Sequence, residues 1–139
     1  MMIESDILLA HIKSSDRLKA VADAVLLKIA RGELRVIASR KVFHELYYVL
    51  KNAGLSPQEI LLKLGALRSI LNIEWVPTTV GTDLLTLSLM SQYGISSVFD
   101  SYYAATCLMY DEDKTIISTD HVFDKVPGIK RIDPRDLVK

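Results

Sequence analysis

Acidic side chains recur in this sequence where predicted strands end and helices begin. Glu4 and Asp6 stand one residue apart directly after the apolar start MMI, and Asp120 follows the β-rich run TIIST. Glu45 and Asp100 lie in two segments with helical apolar spacing. Carboxylates that are brought together repel one another, so they take up protons or bind a cation. Mg²⁺ prefers oxygen ligands and paired ions can activate water, so these residue types point to metal-dependent phosphodiester cleavage.

Each of these acids also has a simpler structural interpretation. Asp6 can cap a helix at residues 7–13, and Asp120 can cap the turn DHVF, because Asp is a favoured N-cap residue. Glu45 can be an exposed helical residue, and Asp100 can be a solvated one. Asp100 nevertheless stands between SVF and SYYAA, where a buried acid needs a partner or a metal ion. A metal site requires that the fold bring these acids together.

Short β-rich runs alternate with longer amphipathic segments along the whole chain. The runs MMIES, ELRVIAS, IEWVP, KTIIST and GIKRID predict five strands. Helices are predicted at 7–13, 15–32, 41–54, 56–71, 79–94 and 97–110, and a turn or short helix at 120–126. Ser15 or Asp16 can cap the second helix, and Ser56 with Glu59 forms a capping-box pattern. The alternation predicts an α/β fold with a mostly parallel sheet covered on both faces.

The carboxyl ends of the strands are the expected place for a site, because ligands bind there in open parallel sheets. Glu4 and Asp6 follow the first predicted strand, and Asp120 follows the fourth. Lys13, Arg40 and Lys41 also come after strand ends, and we expect them near the same edge, where they could hold phosphates. The sequence therefore predicts an acidic pocket with a local basic rim.

Composition limits the classes of protein that the chain can belong to. Its 139 residues are expected to form one domain, 1–139, and 50% of them are hydrophobic. Seventeen basic and seventeen acidic residues balance, which argues against a globally basic nucleic-acid binder. The single cysteine, Cys107, excludes an internal disulfide, and it is predicted to be a buried thiol in a reducing, cytoplasmic setting. No signal peptide or membrane span is predicted, and the three histidines, His11, His44 and His121, lack metal-ligand spacing.

Four ordered pieces of the sequence resemble the PIN-domain ribonucleases, especially the VapC-type toxins of toxin–antitoxin pairs. These pieces are IESDILLAHI, VFHEL, SSVFDSYYAAT and IISTDHVFDKV, and the resemblance that rests on them covers nearly the whole chain. The resemblance implies a three-layer α/β/α fold with the strand order 3-2-1-4-5. It also implies that Glu45, Asp100 and Asp120 are metal-site acids, and that Ser118 is the small hydroxyl residue of a substrate-binding strand end.

The start of the chain departs from the family pattern. The common opening is Asp, a small residue, and then Asn, Ser or Asp, whereas this chain has Glu4, Ser5 and Asp6. We favour Asp6 as the first-strand ligand and keep Glu4 as a second candidate. The resemblance further implies Mg²⁺ or Mn²⁺ as cofactor, RNA as substrate, a homodimer, and an antitoxin that blocks the site with a basic residue.

Three other classes of protein could also account for these acids, and the sequence fits them less well. A phosphatase of the haloacid dehalogenase type needs an Asp nucleophile where this chain has Glu4. A phospho-receiver domain needs a Lys where this chain has Thr119 and Asp120 after TIIS. A PIN-fold protein-binding domain that has lost its catalytic site is the remaining alternative, and the Glu at position 4 is the feature that supports it.

Overall fold

A computed structural model describes all residues of the chain, 1–139, as five strands and six helices. The strands are β1 (Met2–Ile3), β2 (Val36–Ser39), β3 (Ile73–Val76), β4 (Thr115–Ile117) and β5 (Lys130–Ile132). The helices are α1 (Ser5–Ile12), α2 (Lys19–Ala30), α3 (Lys41–Asn52), α4 (Pro57–Arg68), α5 (Val80–Tyr93) and α6 (Val98–Tyr110). Two 3₁₀ turns, His121–Lys125 and Pro134–Leu137, complete the chain, and the second was not predicted.

All five strands are parallel and lie in the order β3-β2-β1-β4-β5, which confirms the predicted fold. Met2 of β1 pairs with Ile37 of β2 on one side and with Ile116 of β4 on the other. Right-handed crossovers therefore place α1–α4 on one face of the sheet and α5 and α6 on the other. The direction of the connections reverses between β1 and β4, so a switch point lies beyond their carboxyl ends.

Local sequence signals explain most of the element boundaries. The Ser56 hydroxyl accepts a hydrogen bond from the Glu59 N–H, and the Glu59 carboxylate accepts one from the Ser56 N–H, which confirms the predicted capping box of α4. Gly94 ends α5 in the left-handed conformation with φ 65°, where a residue with a Cβ is strained. These local signals fix where α4 begins and where α5 ends.

The first two helices begin at other residues than predicted. α1 starts at Ser5 with Glu4 as its N-cap, so Asp6 is not the cap of a helix 7–13. α2 starts only at Lys19, and its N-cap Leu18 makes no side-chain bond. Asp16 instead accepts a hydrogen bond from the Leu18 N–H, which holds residues before the helix in a turn. A local Asx turn therefore replaces the predicted cap at Ser15 or Asp16.

A continuous hydrophobic core joins both helical layers to the sheet. Met2, Ile3, Ile116 and Ile117 of the central strands are fully buried. Cys107 is also buried as predicted, and burial raises the pKa of its thiol to about 12. None of the helices combines the length and the apolar character needed to span a bilayer.

Candidate active site

A pocket of about 440 Å³ opens beyond the carboxyl ends of β1 and β4, at the switch point of the sheet. Five carboxylates line it, and no Lys, Arg or His side chain does. The lining residues are Glu4, Ser5, Asp6, Leu9, Glu45, Leu46, Val49, Ser97, Asp100, Thr119 and Asp120. The five acids singled out in the sequence therefore meet in one pocket without a counter-charge.

The end of β1 contributes two carboxylates that differ in their surroundings. Glu4 is buried, and its carboxylate accepts hydrogen bonds from the Ser5 hydroxyl at 2.6 Å and the Ser118 hydroxyl at 3.1 Å. Burial, followed by the neighbouring Asp6 carboxylate, raises the pKa of Glu4 well above its usual range. Glu4 is thus held by protein hydroxyls at the back of the pocket.

Asp6 lies at the wall of the pocket and is fixed from the end of β4. Its Oδ2 atom accepts two hydrogen bonds from Thr119, from the backbone N–H at 2.9 Å and from the hydroxyl at 2.7 Å. Its Oδ1 atom accepts one from the Ile7 N–H at 2.8 Å. These bonds join the first turn of α1 to β4 and orient the Asp6 carboxylate.

Helices from opposite faces of the sheet supply Glu45 and Asp100. Glu45 of α3 accepts a hydrogen bond from the buried Tyr103 hydroxyl at 2.7 Å. Asp100 lies in the first turn of α6, where Ser97 caps the helix and accepts the Asp100 N–H at 3.3 Å. Burial, then the charges of Asp120 and Glu45, raises the pKa of Asp100 to about 6. Asp100 is thus both partly buried and close to other carboxylates of the pocket.

The end of β4 presents Asp120 through a buried serine. Ser118 is fully buried, donates its hydroxyl to Glu4 and accepts the Asp120 N–H at 2.9 Å. Asp120 is exposed, and its Oδ1 atom accepts the Val122 N–H at 2.9 Å as the cap of the 3₁₀ turn. Asp120 thus caps a turn and lines the pocket at once, whereas Ser118 joins two of the acids and does not line the pocket itself.

Of the three basic residues predicted at the rim, two lie near the carboxyl edge of the sheet. Arg40 and Lys41 follow β2 and line a separate, neighbouring pocket. Lys13 does not belong to this edge, because α1 carries the chain away from it for eight residues, about 12 Å of helix. Its ammonium lies 3.8 Å from Asp16 instead. The predicted position of Lys13 is therefore wrong.

Sequence reasoning missed three polar residues of the pocket and one contact beneath it. Ser5, Ser97 and Thr119 line the pocket beside the acids. Thr119 has a readable signal, because it stands between Ser118 and Asp120 at the end of a strand. Beneath the pocket, the fully buried Tyr103 donates its hydroxyl to Glu45.

The chemistry of this donor set fits a hydrated divalent cation. No group of three or more Asp, Glu, His or Cys side chains is arranged to hold a metal ion directly. Mg²⁺ usually keeps several waters and binds through one or two carboxylates, so a fully closed protein shell is not required. Five carboxylates line the pocket with no basic side chain among them, and clustered acids of this kind can take up protons or bind a cation.

Comparison with known proteins agrees with this class of fold. The PIN domain family model matches residues 1–129, and the chain therefore belongs to the PIN domain family. The chain is also similar to a solved structure from Rickettsia felis, described as VapBC2 bound to a DNA fragment from their promoter. The two share 18% sequence identity with a TM-score of 0.68, over 94% of this chain and 96% of that chain. No curated protein sequence matches the chain.

Proposed function

We propose that this protein is a divalent-metal-dependent endoribonuclease that cleaves phosphodiester bonds of RNA. The observation that carries the proposal is the pocket of five carboxylates without a counter-charge at the switch point of a PIN-family sheet. Asp6, Asp100 and Asp120 reach the pocket from three different elements, and they are the proposed Mg²⁺ or Mn²⁺ ligands together with Glu45. Glu4 is the second candidate at the first strand.

The side chains of the pocket have separable tasks in this mechanism. When bound, the metal supplies an activated water and charge stabilisation for in-line displacement at phosphorus. Thr119 and Tyr103 fix the orientation of Asp6 and Glu45, which keeps these carboxylates in place without a cation. Glu4 is surrounded by hydroxyl donors and stands behind Asp6, where it supports the pocket wall.

We further propose that the protein is the toxin of a VapBC-type pair, acting in the cytoplasm. The similar Rickettsia felis structure is a VapBC complex, which supports an antitoxin as partner. A pocket with five acids and no cation would accept a basic side chain from such an antitoxin. Exposed apolar side chains on α5, Val80, Leu84 and Leu87, form a stripe at helical spacing that supports a homodimer.

The test is cleavage of a mixed RNA pool by the purified protein with Mn²⁺, with EDTA, and with two Asp→Asn variants. Asp100→Asn removes a pocket carboxylate, and we expect it to abolish metal-dependent cuts. Asp113→Asn is the matched control, because Asp113 is exposed at the opposite edge of the sheet. Equal cleavage by both variants would contradict the site assignment.

The alternative function, a PIN-fold protein-binding domain without catalysis, has its own test. Glu4 in place of the usual Asp supports it, because the longer side chain is held by the hydroxyls of Ser5 and Ser118. Titration with Mn²⁺ separates the two functions without relying on a suitable RNA. Binding at millimolar metal that is lost in Asp100→Asn supports the nuclease, and absence of binding supports the alternative.

A further inference from the structure

A second polar pocket lies at the same edge of the sheet as the acidic pocket and has the opposite character. Arg40, Lys41, His44 and Thr78 line it, its volume is about 270 Å³, and no hydrophobic side chain contributes to it. None of the three basic side chains takes part in an ion pair. We refer to these four residues as the basic pocket. Basic groups without acidic partners leave it able to accept an anion.

The fold brings these four residues close together. Arg40 and Lys41 follow β2 at the start of α3, and Thr78 follows β3, the neighbouring strand. The Lys41 ammonium lies over the Tyr102 ring, 4.6 Å from its centroid. His44 lies one helical turn further along α3. Adjacent strand ends and the first turn of one helix thus bring the basic groups to a common opening.

Aromatic contacts hold the His44 ring at this opening. Its centroid is 5.3 Å from the Tyr48 ring and 5.5 Å from the Phe99 ring, the latter in an edge-on arrangement. His44 carries no hydrogen-bonded carboxylate, unlike His11 beside Asp23 and His121 beside Asp124. Its ring nitrogens are therefore available to an oxygen acceptor.

Helix α3 links the basic pocket directly to the acidic one. Lys41 and Glu45 are four residues apart and so are neighbours on the same face of α3, about 5–6 Å apart between Cβ atoms. Phe99, which contacts His44, directly precedes Asp100. The basic pocket therefore lies on one of the two sides from which an RNA strand can reach the acidic pocket, the side at the start of α3.

We infer that the basic pocket of Arg40, Lys41, His44 and Thr78 binds a backbone phosphate of RNA that flanks the bond presented to the acidic pocket. The inference rests on the proposed nuclease function and adds a position for the substrate strand. An Arg fork, an ammonium, an imidazole and a hydroxyl are all donors that suit phosphate oxygens. An acidic peptide is less well matched, because no hydrophobic residue lines the pocket for a peptide side chain to pack against.

The first experiment measures binding of a fluorescein-labelled 12-nucleotide RNA of mixed sequence in EDTA, in the Asp100→Asn background. The variant Arg40→Gln/Lys41→Gln removes two charges from the basic pocket. The control Arg31→Gln/Lys51→Gln removes two exposed charges elsewhere, so both proteins have the same net charge. We expect the pocket variant to bind about tenfold more weakly than the control at low salt. Its slope of log K against log salt should fall by about 0.7, the value for one phosphate contact on a single strand.

A second measurement uses the unsubstituted basic pocket, so it does not depend on the folding of the pocket variant. A series of RNAs is made in which each linkage in turn is replaced by a neutral methylphosphonate. We expect that the replacement at one linkage weakens binding about tenfold. Neutralising the same linkage should not weaken binding any further in the Arg40→Gln/Lys41→Gln protein, because the change in the RNA and the change in the protein remove the same contact. Additive losses in that cycle would overturn the phosphate assignment.

The outcomes also separate this inference from the nuclease proposal. Metal-dependent cleavage by the wild-type protein, with pocket and control variants binding RNA alike, overturns the basic pocket alone. A pocket-specific loss of RNA binding without any cleavage supports the basic pocket and counts against the nuclease. Loss of binding to a hexaglutamate peptide with unchanged RNA binding would show that the pocket recognises protein carboxylates, and would overturn the inference.

Discussion

Acidic residues gather at both edges of the sheet, but only at the amino edge do basic groups line the same pocket as the acids. There Asp111, Glu112 and Asp113 share a pocket of about 480 Å³ with Arg35 and the Met1 amino group. The Met1 amino group bonds the buried Asp111 carboxylate at 2.5 Å. At the carboxyl edge five carboxylates line the pocket and no basic side chain does.

The acids at the amino edge stabilise the fold, whereas those at the carboxyl edge weaken it. Asp111 also accepts the Thr115 N–H at 3.0 Å, so its charge is balanced and both oxygens are bonded. Burial, and then the like charges of Asp120 and Glu45, raise the pKa of Asp100 to about 6. A carboxylate kept in such surroundings weakens the isolated fold, which is typical of residues retained for binding or catalysis.

The largest effect that we expect is on cleavage, from Asp100→Asn. Loss of one carboxylate from an open site should lower metal-dependent cleavage by about 100-fold or more. The same change relieves repulsion, so the melting temperature in EDTA at pH 7 should stay or rise. Initial rates on RNA and thermal melts measured side by side check both parts. If Asp100→Asn lost activity only because its melting temperature fell, Asp100 would be an acid that stabilises the fold, and the proposed difference between the two edges would be wrong.

The reverse result is expected from Asp111→Asn at the amino edge. The amide has one acceptor for two donors, so it must turn its own N–H groups toward Met1 or Thr115. We expect a loss of about 1–3 kcal/mol in the free energy of unfolding and unchanged cleavage at temperatures where the protein is folded. Urea unfolding and RNA cleavage test this directly. Lost activity in folded Asp111→Asn would show that the two edges do not differ in role.

Tyr103→Phe tests how a neutral hydrogen-bond donor supports an acid at the carboxyl edge. The Tyr103 hydroxyl is the neutral donor that fixes Glu45 at 2.7 Å, as the ammonium fixes Asp111 at the other edge. Removing it should weaken Mn²⁺ binding about tenfold, since partners behind metal ligands typically contribute that much. Mn²⁺ titration followed by calorimetry measures the effect. Leu89→Ala, a core truncation elsewhere, should lower stability without changing Mn²⁺ affinity of the folded protein.

The sequence predicts the elements and their order well, because local rules decide them. Alternating strands and helices predict the sheet, and Ser56 with Glu59 predicts the start of α4. Lys13 fails because it stands at the far end of α1, about 12 Å of helix from the end of β1, and Glu4 takes the capping role expected of Asp6.

Contacts between distant segments account for the rest of the site. Tyr103 meets Glu45 across 58 residues of sequence, and Thr119 meets Asp6 across 113. No periodicity couples such positions, because the pairing of β4 with β1 brings Thr119 to Asp6 and the connection from β3 to β4 carries α6 to α3. Residue type predicted which acids could act together, whereas the topology decided which neutral side chains orient them.

The smallest expected effect is the response of the metal-free protein to pH. Because the folded pKa of Asp100 is about 6, above its usual value near 3.8, the folded state holds a proton that the unfolded state releases between these values. Stability from this group is full below about pH 4 and is lost as the pH rises through 6. Lowering the pH from 7 to 5 should therefore raise the melting temperature of the wild type relative to Asp100→Asn in EDTA. Asp113→Asn should follow the wild type, and an equal difference at both pH values would remove the like-charge argument for the pocket.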